Sequence, residues 1–208
     1  MAEILPERRR RHRGLWIAGA LLLVLLAFWA GDLLGVAGGA RHLDRRYAEV
    51  RQLLRAGDWQ SANQALSEIV LIVAGRRSEG WLDRRSVETL PCQDLAYIDR
   101  LYRDASDGRF GYAPQLAIWQ ALPEGPAREK LLAFAEQVGW RAGGRWLAYE
   151  ELTFSTEAPI GHLPVFFPET GLRTPFKTRK GTPEERGLLL QVLDRRYDDC
   201  LLAPTPTR

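Results

Sequence analysis

The 208-residue chain has one methionine, Met1, only two cysteines and only three histidines. Those shortages leave few thiolate, imidazole or thioether ligands for a metal. Cys92 and Cys200 lie 108 residues apart with no metal-type spacing. Read as residues, they are either two small buried hydrophobes or, in an oxidising compartment, a pair. Beyond residue 40 the histidines are His42 and His162, so bis-histidine ligation of a haem would require His42 to fold back, and histidine–methionine ligation lacks its methionine. The chain carries no Walker loop, no dinucleotide glycine fingerprint after a strand, no His-Glu-x-x-His and no Gly-x-Ser-x-Gly. Asp94, Asp99 and Asp104 recur at a spacing that turns through about 140° per step, which reads as a solvated face and not as paired catalytic acids. Sustained alternation is missing too, as are Asn-Gly or Asp-Gly turns between β-branched runs, so strands are not expected. No segment repeats at a fixed period. Catalysis is not the expectation.

What the chain does have is unevenly spread. Gly14 to Gly31 is a run of 18 uncharged residues, mostly Leu, Ala, Val and Trp. As a helix it would span roughly 27 Å, near the hydrocarbon thickness of a bilayer. Trp16 and Trp29 stand near its two ends, and Arg8-Arg-Arg-Arg-His-Arg13 precedes it. The pattern predicts a basic cytoplasmic N-terminus over 1–13 and a single transmembrane anchor over 14–37, with the globular part on the far side. The rival is a secretory signal peptide cleaved near Ala37 or Ala40. Residues 1–40 hold five arginines and three acids, so of the formal net charge of +3 only +1 lies on 41–208. A chain with so little basic surface is not expected to bind nucleic acid.

Past the anchor the periodicity is helical. Tyr47, Val50, Leu53 and Leu54 share one face, Gly57 stops the helix, and Asp58 caps a second carrying Ala62, Leu66, Ile69, Val70 and Val73 up to Gly75. The short join predicts a helical hairpin. Arg76 to Leu90 is polar and irregular, yet contains Trp81, Leu82, Val87 and Leu90. Pro91, Pro114 and Pro126 are each placed to start a helix. A short sixth helix is expected from Trp146 to Leu152, then a proline-punctuated loop over 153–175. A last helix from Pro183 turns Leu189, Val192, Leu193, Tyr197 and Cys200 inward, and a disordered tail follows from Ala203. The fold class is all-α: one N-terminal transmembrane helix, then a compact multi-helix domain with two long ordered loops.

Several motifs stand in one order: Gly80-Trp-Leu-Asp83, Leu90-Pro-Cys-Gln-Asp-Leu95, Asp107-Gly-Arg-Phe-Gly-Tyr-Ala-Pro-Gln115, Val138-Gly-Trp-Arg-x-Gly-Gly-x-Trp-Leu-x-Tyr149, Leu152-Thr-Phe-Ser155 and Ala158-Pro-x-Gly-His-Leu-Pro164. Together they resemble the genomes-uncoupled-four (Gun-four) family, helical proteins that bind porphyrins and assist magnesium insertion in chlorophyll synthesis. The resemblance assigns 44–168 to a tetrapyrrole-binding helical domain and leaves 169–208 as a basic loop, helix and tail. The chain departs from the family pattern at Ala62-Asn63-Gln-Ala-Leu66, where an acid and a hydroxyl are usual, at Leu90, where Phe is common, and at Tyr102, where Trp is common.

A flat apolar macrocycle needs an apolar cleft, and its carboxylates need cations at the rim. The resemblance implies that segments 75–90 and 154–163 form the walls. Trp81, Leu82, Val87, Leu90, Phe110, Phe154 and Ile160 are the candidate apolar contacts, and Arg76, Arg77 and Arg145 the candidate rim cations. His162 completes the set as a residue that orients the second loop by hydrogen bonding. The expected ligand is protoporphyrin or a magnesium porphyrin, with no metal bound by the protein itself. The expected partners are the tetrapyrrole, the membrane and a magnesium-chelatase subunit, in a carrier, sensor or chelatase-auxiliary role. The alternative class is a membrane-tethered helical interaction module with no tetrapyrrole ligand.

Overall fold

The computed structural model describes Gly39, residues 41–165 and residues 183–202. The chain divides into two units, residues 1–44 with 206–208, and residues 45–205. Among the described residues no helix is long and apolar enough to cross a membrane; the run assigned to an anchor, 14–37, lies outside them. The loop over 166–182 and the tail from 203 lie outside them as well.

The second unit is mostly helical. Its elements are α1 (Ala48–Arg55), α2 (Trp59–Val73), α3 (Arg84–Glu88), α4 (Cys92–Ala105), α5 (Tyr112–Ala121), α6 (Ala127–Gln137), a minimal hairpin of β1 (Arg141–Ala142) and β2 (Arg145–Trp146), a 3-10 turn (Tyr149–Glu151) and α7 (Pro183–Leu202). As the pattern predicts, α1 and α2 pair across Gly57, and the Asp58 carboxylate accepts from Ser61 N to cap α2. α4 packs on α1 and α5, α5 on α6, and α7 lies against α6, α3 and α4. The aromatics make the centre. Trp59 meets Phe110 edge-on at 5.3 Å, while Trp119, Phe134 and Trp140 form a second edge-to-face chain at 5.8 and 5.5 Å. Each such pair contributes about 0.5–1.5 kcal/mol beyond area burial.

Four expectations are corrected. First, Trp146 to Leu152 is not an α-helix. Gly143 and Gly144 both take positive φ and close the hairpin, pairing Arg141 with Trp146, and only the 3-10 turn follows. Second, the stretch 76–90 is not wholly irregular, because Asp83 and Ser86 form a reciprocal capping box that starts α3. Third, Asp94 and Asp99 do not face solvent; they are 2% and 3% exposed, and only Asp104 is on the outside. Their burial is offset by groups that reach Asp94 Oδ1 and both oxygens of Asp99, with Asp94 Oδ2 left without a partner among the described residues. Asp94 accepts from the Tyr47 hydroxyl at 2.8 Å and pairs with Arg46. Asp99 accepts from Ala113 N at 2.8 Å, from the Tyr197 hydroxyl at 3.2 Å and from Arg103 Nε at 3.0 Å. The Ala113 bond also explains why α5 begins at Tyr112, two residues before Pro114. Fourth, of the two readings left open for Cys92 and Cys200, the buried-hydrophobe one gives way to the pair: they form one disulfide, with Cα atoms 5.1 Å apart. Closing a loop of this length contributes about 4.7 kcal/mol in the chain-entropy picture.

Gly111 shows why this arrangement needs a glycine. Its φ is +126°, and a Cβ there would stand 2.7 Å from Asp99 Oδ1. Gly111→Ala is therefore expected to destabilise the domain by at least about 1–3 kcal/mol through backbone strain alone. Thermal denaturation would show a midpoint lowered by roughly 4 °C or more; an unchanged midpoint would mean that neither the +126° backbone nor the Asp99 contact constrains position 111.

Candidate functional site

The first candidate wall begins where α2 ends. Gly75 takes φ +65°, and Arg76 N reaches back to Leu71 O at 2.7 Å, closing the helix. Arg76 then organises the loop. Its guanidinium lies over the Trp81 ring at 4.4 Å, its Nε donates to Trp81 O at 3.3 Å, and it pairs with Glu79 and Asp83 at 3.4 and 3.5 Å. The Asp83 carboxyl is held below its usual range, first by the Ser86 backbone N–H and less by Arg76. Trp81 is half-buried, and Leu82, Val87 and Leu90 of the same segment are buried. Arg77 is exposed and has no ion pair among the described residues.

The second candidate wall is tied down by backbone pairing. Gly111 N donates to Leu163 O, and Gly161 N to Arg109 O, each at 2.9 Å. The Arg109 guanidinium donates to Ala158 O at 2.8 Å, and Gln115 Nε2 donates to both Gly161 O and Pro164 O. A Cβ at Gly161, where φ is +75°, would meet Ile118 Cδ1 at 3.0 Å, so the loop must pass close to α5 there. Phe154 leans on Tyr149 at a ring separation of 4.9 Å, and Ile160 stands 52% exposed. The loop is also fixed to α2, because Val165 N donates to Asn63 Oδ1 at 2.8 Å and the Tyr149 hydroxyl reaches Gln60 O.

Both walls thus attach to α2, one near Asn63 and one after Val73, about 15 Å apart along the axis. Between those points α2 carries Ala65, Ile69 and Ile72 at i, i+4 and i+7, only half-buried or exposed; Ile72 is 51% exposed. Ile69 and Val73, expected on the inward stripe, sit at its edge, while Ala62, Leu66 and Val70 are fully inside. Ile72 was not among the predicted contacts. Its signal was legible, since an isoleucine off the inward face of an otherwise amphipathic helix has no core to enter.

The predicted contacts divide. Arg76, Trp81, Leu82, Val87 and Leu90 belong to the first wall, where Arg76 and Trp81 are in contact, and Phe154 and Ile160 to the second. Phe110 is fully buried against Trp59, with its backbone N–H donating to Ser106 Oγ at 2.9 Å, and has no exposed surface. Arg145 is clamped by Glu151 through two bonds at 2.7 and 2.8 Å; the same clamp and Ala148 N hold the Glu151 carboxyl at about 2. His162, 1% exposed, donates from Nδ1 to Val138 O at 2.6 Å, and its backbone carbonyl accepts from Trp140 Nε1. It therefore braces the second loop from inside. Among the described residues no three His, Cys, Asp or Glu side chains are placed to hold a metal ion. Chemically the arrangement offers an apolar strip, an aromatic edge stiffened by a guanidinium, and an exposed arginine beside it.

A family model described as GUN4-like matches residues 41–176. An uncharacterized protein ycf53 of Pyropia yezoensis is 29% identical over 123 residues, which is 58% of this chain and 50% of that protein. The Ycf53-like protein of Synechocystis sp. is 29% identical over 130 residues, covering 61% and 54%. A protein of Arabidopsis thaliana named tetrapyrrole-binding protein, chloroplastic, is 29% identical over 118 residues, covering 52% and 43%. The chain spans about half the length of the curated relatives it matches. In fold it is similar to the ligand-free structure of Arabidopsis thaliana GUN4, with a TM-score of 0.55 at 22% identity over 73% of this chain and 96% of that one. It is also similar to GUN4 from Chlamydomonas reinhardtii, with a TM-score of 0.56 at 21% identity over 73% and 87%.

The burial of His162 has a pH consequence. Desolvation lowers its pKa, outweighing the Val138 bond, so the unfolded chain takes up the proton first as pH falls. The stability this neutral ring contributes is whole above its ordinary value of 6.5 and is lost as pH drops from there toward the lowered folded value. The thermal midpoint should fall between about pH 7 and about pH 5, and His162→Asn, which still offers an N–H to Val138, should lack that component. An identical pH profile in the variant would remove His162 from the account.

Proposed function

This chain belongs to the GUN4-like family, and we propose on that footing that it binds a tetrapyrrole and carries, senses or regulates it without transforming it. The observation that carries the reading is Ile72, half exposed on α2 just before the loop that stiffens Trp81 under Arg76. A macrocycle lying over Ala65, Ile69 and Ile72 with its edge at Trp81 would cover apolar surface that the domain leaves to water. Micromolar affinity corresponds to about 8 kcal/mol, which at roughly 25 cal/mol per Å² needs about 330 Å² of net apolar burial. One face of a porphyrin against one helix falls short of that once association costs are counted, so the second wall with Phe154 and Ile160 has to contribute.

Rim pairing to the ligand's carboxylates falls to Arg77, because Arg76 and Arg145 already have carboxylate partners. Protoporphyrin and a magnesium porphyrin both fit this scheme, since neither needs an axial ligand from His162. We read 14–37 as a membrane anchor on the strength of its uncharged run behind five arginines, and a magnesium-chelatase subunit as the partner when both lie on the same side. The competing reading, a helical interaction module, draws on the same exposed Ile72 and Ile160.

Titration of the full chain with protoporphyrin, followed by tryptophan quenching and the Soret band, separates the two. Ile72→Glu and Trp81→Ala should each weaken binding by about tenfold or more, the loss expected from removing roughly 1.4 kcal/mol or more of apolar contact. The Ile72 variant should leave the thermal midpoint within about 2 °C, since its side chain is half in water. Unchanged affinity in Ile72→Glu would sink the proposed floor, and no saturable binding by the parent chain would leave the interaction module.

A further inference from the structure

We propose that the Cys92–Cys200 disulfide is a redox latch on the first wall, so that its reduction loosens the segment from Asp83 to Leu90 and weakens the ligand site; the effect on affinity rests on the tetrapyrrole reading above. α3 has five residues, too few to hold a helix alone. Its own ties are the Asp83–Ser86 capping box and the buried side chains of Leu82, Val87 and Leu90. Arg76 steadies its start through Trp81 and Asp83, and its far end is held by α7. That helix packs across α3, and Arg196 Nε donates to Leu90 O at 2.9 Å. One turn further on, Cys200 is bonded to Cys92, two residues past Leu90. The end of the wall is therefore pinned to α7 at two points four residues apart, and the covalent one is the stronger.

The rest of α7 has independent anchors. Leu190, Val192 and Leu193 are buried, Asp194 accepts from Gln120 at 2.7 Å, and Tyr197 donates to Asp99. The aromatic chain of Trp119, Phe134 and Trp140 makes no use of the disulfide. Breaking the S–S bond would thus free the last turn of α7 and the wall beside it while the core stays packed. Cys92 and Cys200 are both half-buried, so a thiolate can approach. The chemistry is dithiol exchange. One thiolate of the reductant attacks a protein sulfur and breaks the S–S bond, giving a mixed disulfide, and the second thiol then resolves it. Two electrons and two protons pass to Cys92 and Cys200, which become thiols, and the reductant leaves as its own disulfide.

The test uses the full chain, oxidised or reduced with dithiothreitol, together with a Cys92→Ser/Cys200→Ser double variant and Arg196→Ala. Hydrogen exchange is followed by mass spectrometry over 84–90 and, as reference, over 131–138. Protoporphyrin affinity is measured on the same samples. Reduction should speed exchange over 84–90 by about tenfold and weaken the porphyrin by a similar factor, as when the competent wall is populated about a tenth of the time. Exchange over 131–138 should not change. The double variant should match the reduced chain and ignore the reductant, and Arg196→Ala should shift the same segment to a smaller degree. Equal exchange over 84–90, or faster exchange throughout, overturns the latch, as does faster exchange with unchanged affinity. An oxidised chain that binds no porphyrin removes the tetrapyrrole reading instead, and the exchange contrast still decides whether the wall is latched.

Discussion

The fold turns on two buried carboxylates of α4 that point about 140° apart around its axis. Asp94 holds Tyr47 and Arg46 at the start of the unit, and Asp99 holds Ala113, Arg103 and Tyr197 from α5, α4 itself and α7. Placing two carboxylates in an interior is costly unless every bond they need is supplied. Partners from 47 and 98 residues away in the chain offset much of that cost, while the second oxygen of Asp94 stays buried without a hydrogen bond among the described residues. Apolar packing alone would let α1 and α7 slide on α4 with small changes in energy, whereas a buried carboxylate is satisfied at one register only. Burial in turn pushes the Tyr47 hydroxyl well above its usual pKa, with the Asp94 bond adding to the effect, so it stays a donor throughout the physiological range. The Cys92–Cys200 bond joins the same first turn of α4.

The motif from Gly108 to Gln115 looks like a ligand loop and acts as a clamp. Arg109, Gly111 and Gln115 among them satisfy four backbone groups of the second wall directly, Leu163 O, Gly161 N, Gly161 O and Pro164 O, and Arg109 adds Ala158 O. A segment with that many backbone partners is preorganised, and a ligand that meets it pays little ordering entropy. The first wall is held differently, by Arg76 from within and by α7 from behind. One wall is therefore fixed by backbone pairing close to the core, and the other by side chains and one covalent bond that conditions can alter.

What was legible in the sequence follows from range. Gly57, Asp58, Gly75, Pro91 and Pro126 act within a turn of where they stand, and the helices begin and end within a residue or two of them. The burial of Asp94 and Asp99 was not legible, because a five-residue spacing with no local partner reads as solvent-facing until Tyr47 and Tyr197 are brought in by the fold. The disulfide has the same character: nothing near Cys92 announces a residue 108 positions on. α3 escaped because five residues give less than two turns of periodicity. The failed helix over Trp146 to Leu152 came from reading Gly143-Gly144 as a break before a helix when, with both residues at positive φ, it is the turn of a hairpin. The burial of Phe110 was not legible for a related reason, since a motif phenylalanine in a turn gives no local sign that Trp59 covers it.

The arginines show how a rim reading has to be weighed against internal demand. Arg145 faces Glu151 through two hydrogen bonds, and Glu151 also takes Ala148 N, so a ligand carboxylate displacing it would replace one ion pair with another and strand a loop carboxylate. Arg76 is more deeply committed, because moving it uncovers Trp81 and leaves Asp83 without its cation at the start of α3. A ligand that recruited either would loosen the wall it needs. Arg77 has no incumbent among the described residues and sits one position from the guanidinium that stiffens Trp81. Its exposure makes it a weak ion-pair partner in open water, but an apolar ligand seated against Ile72 would exclude water from one side and strengthen that pair.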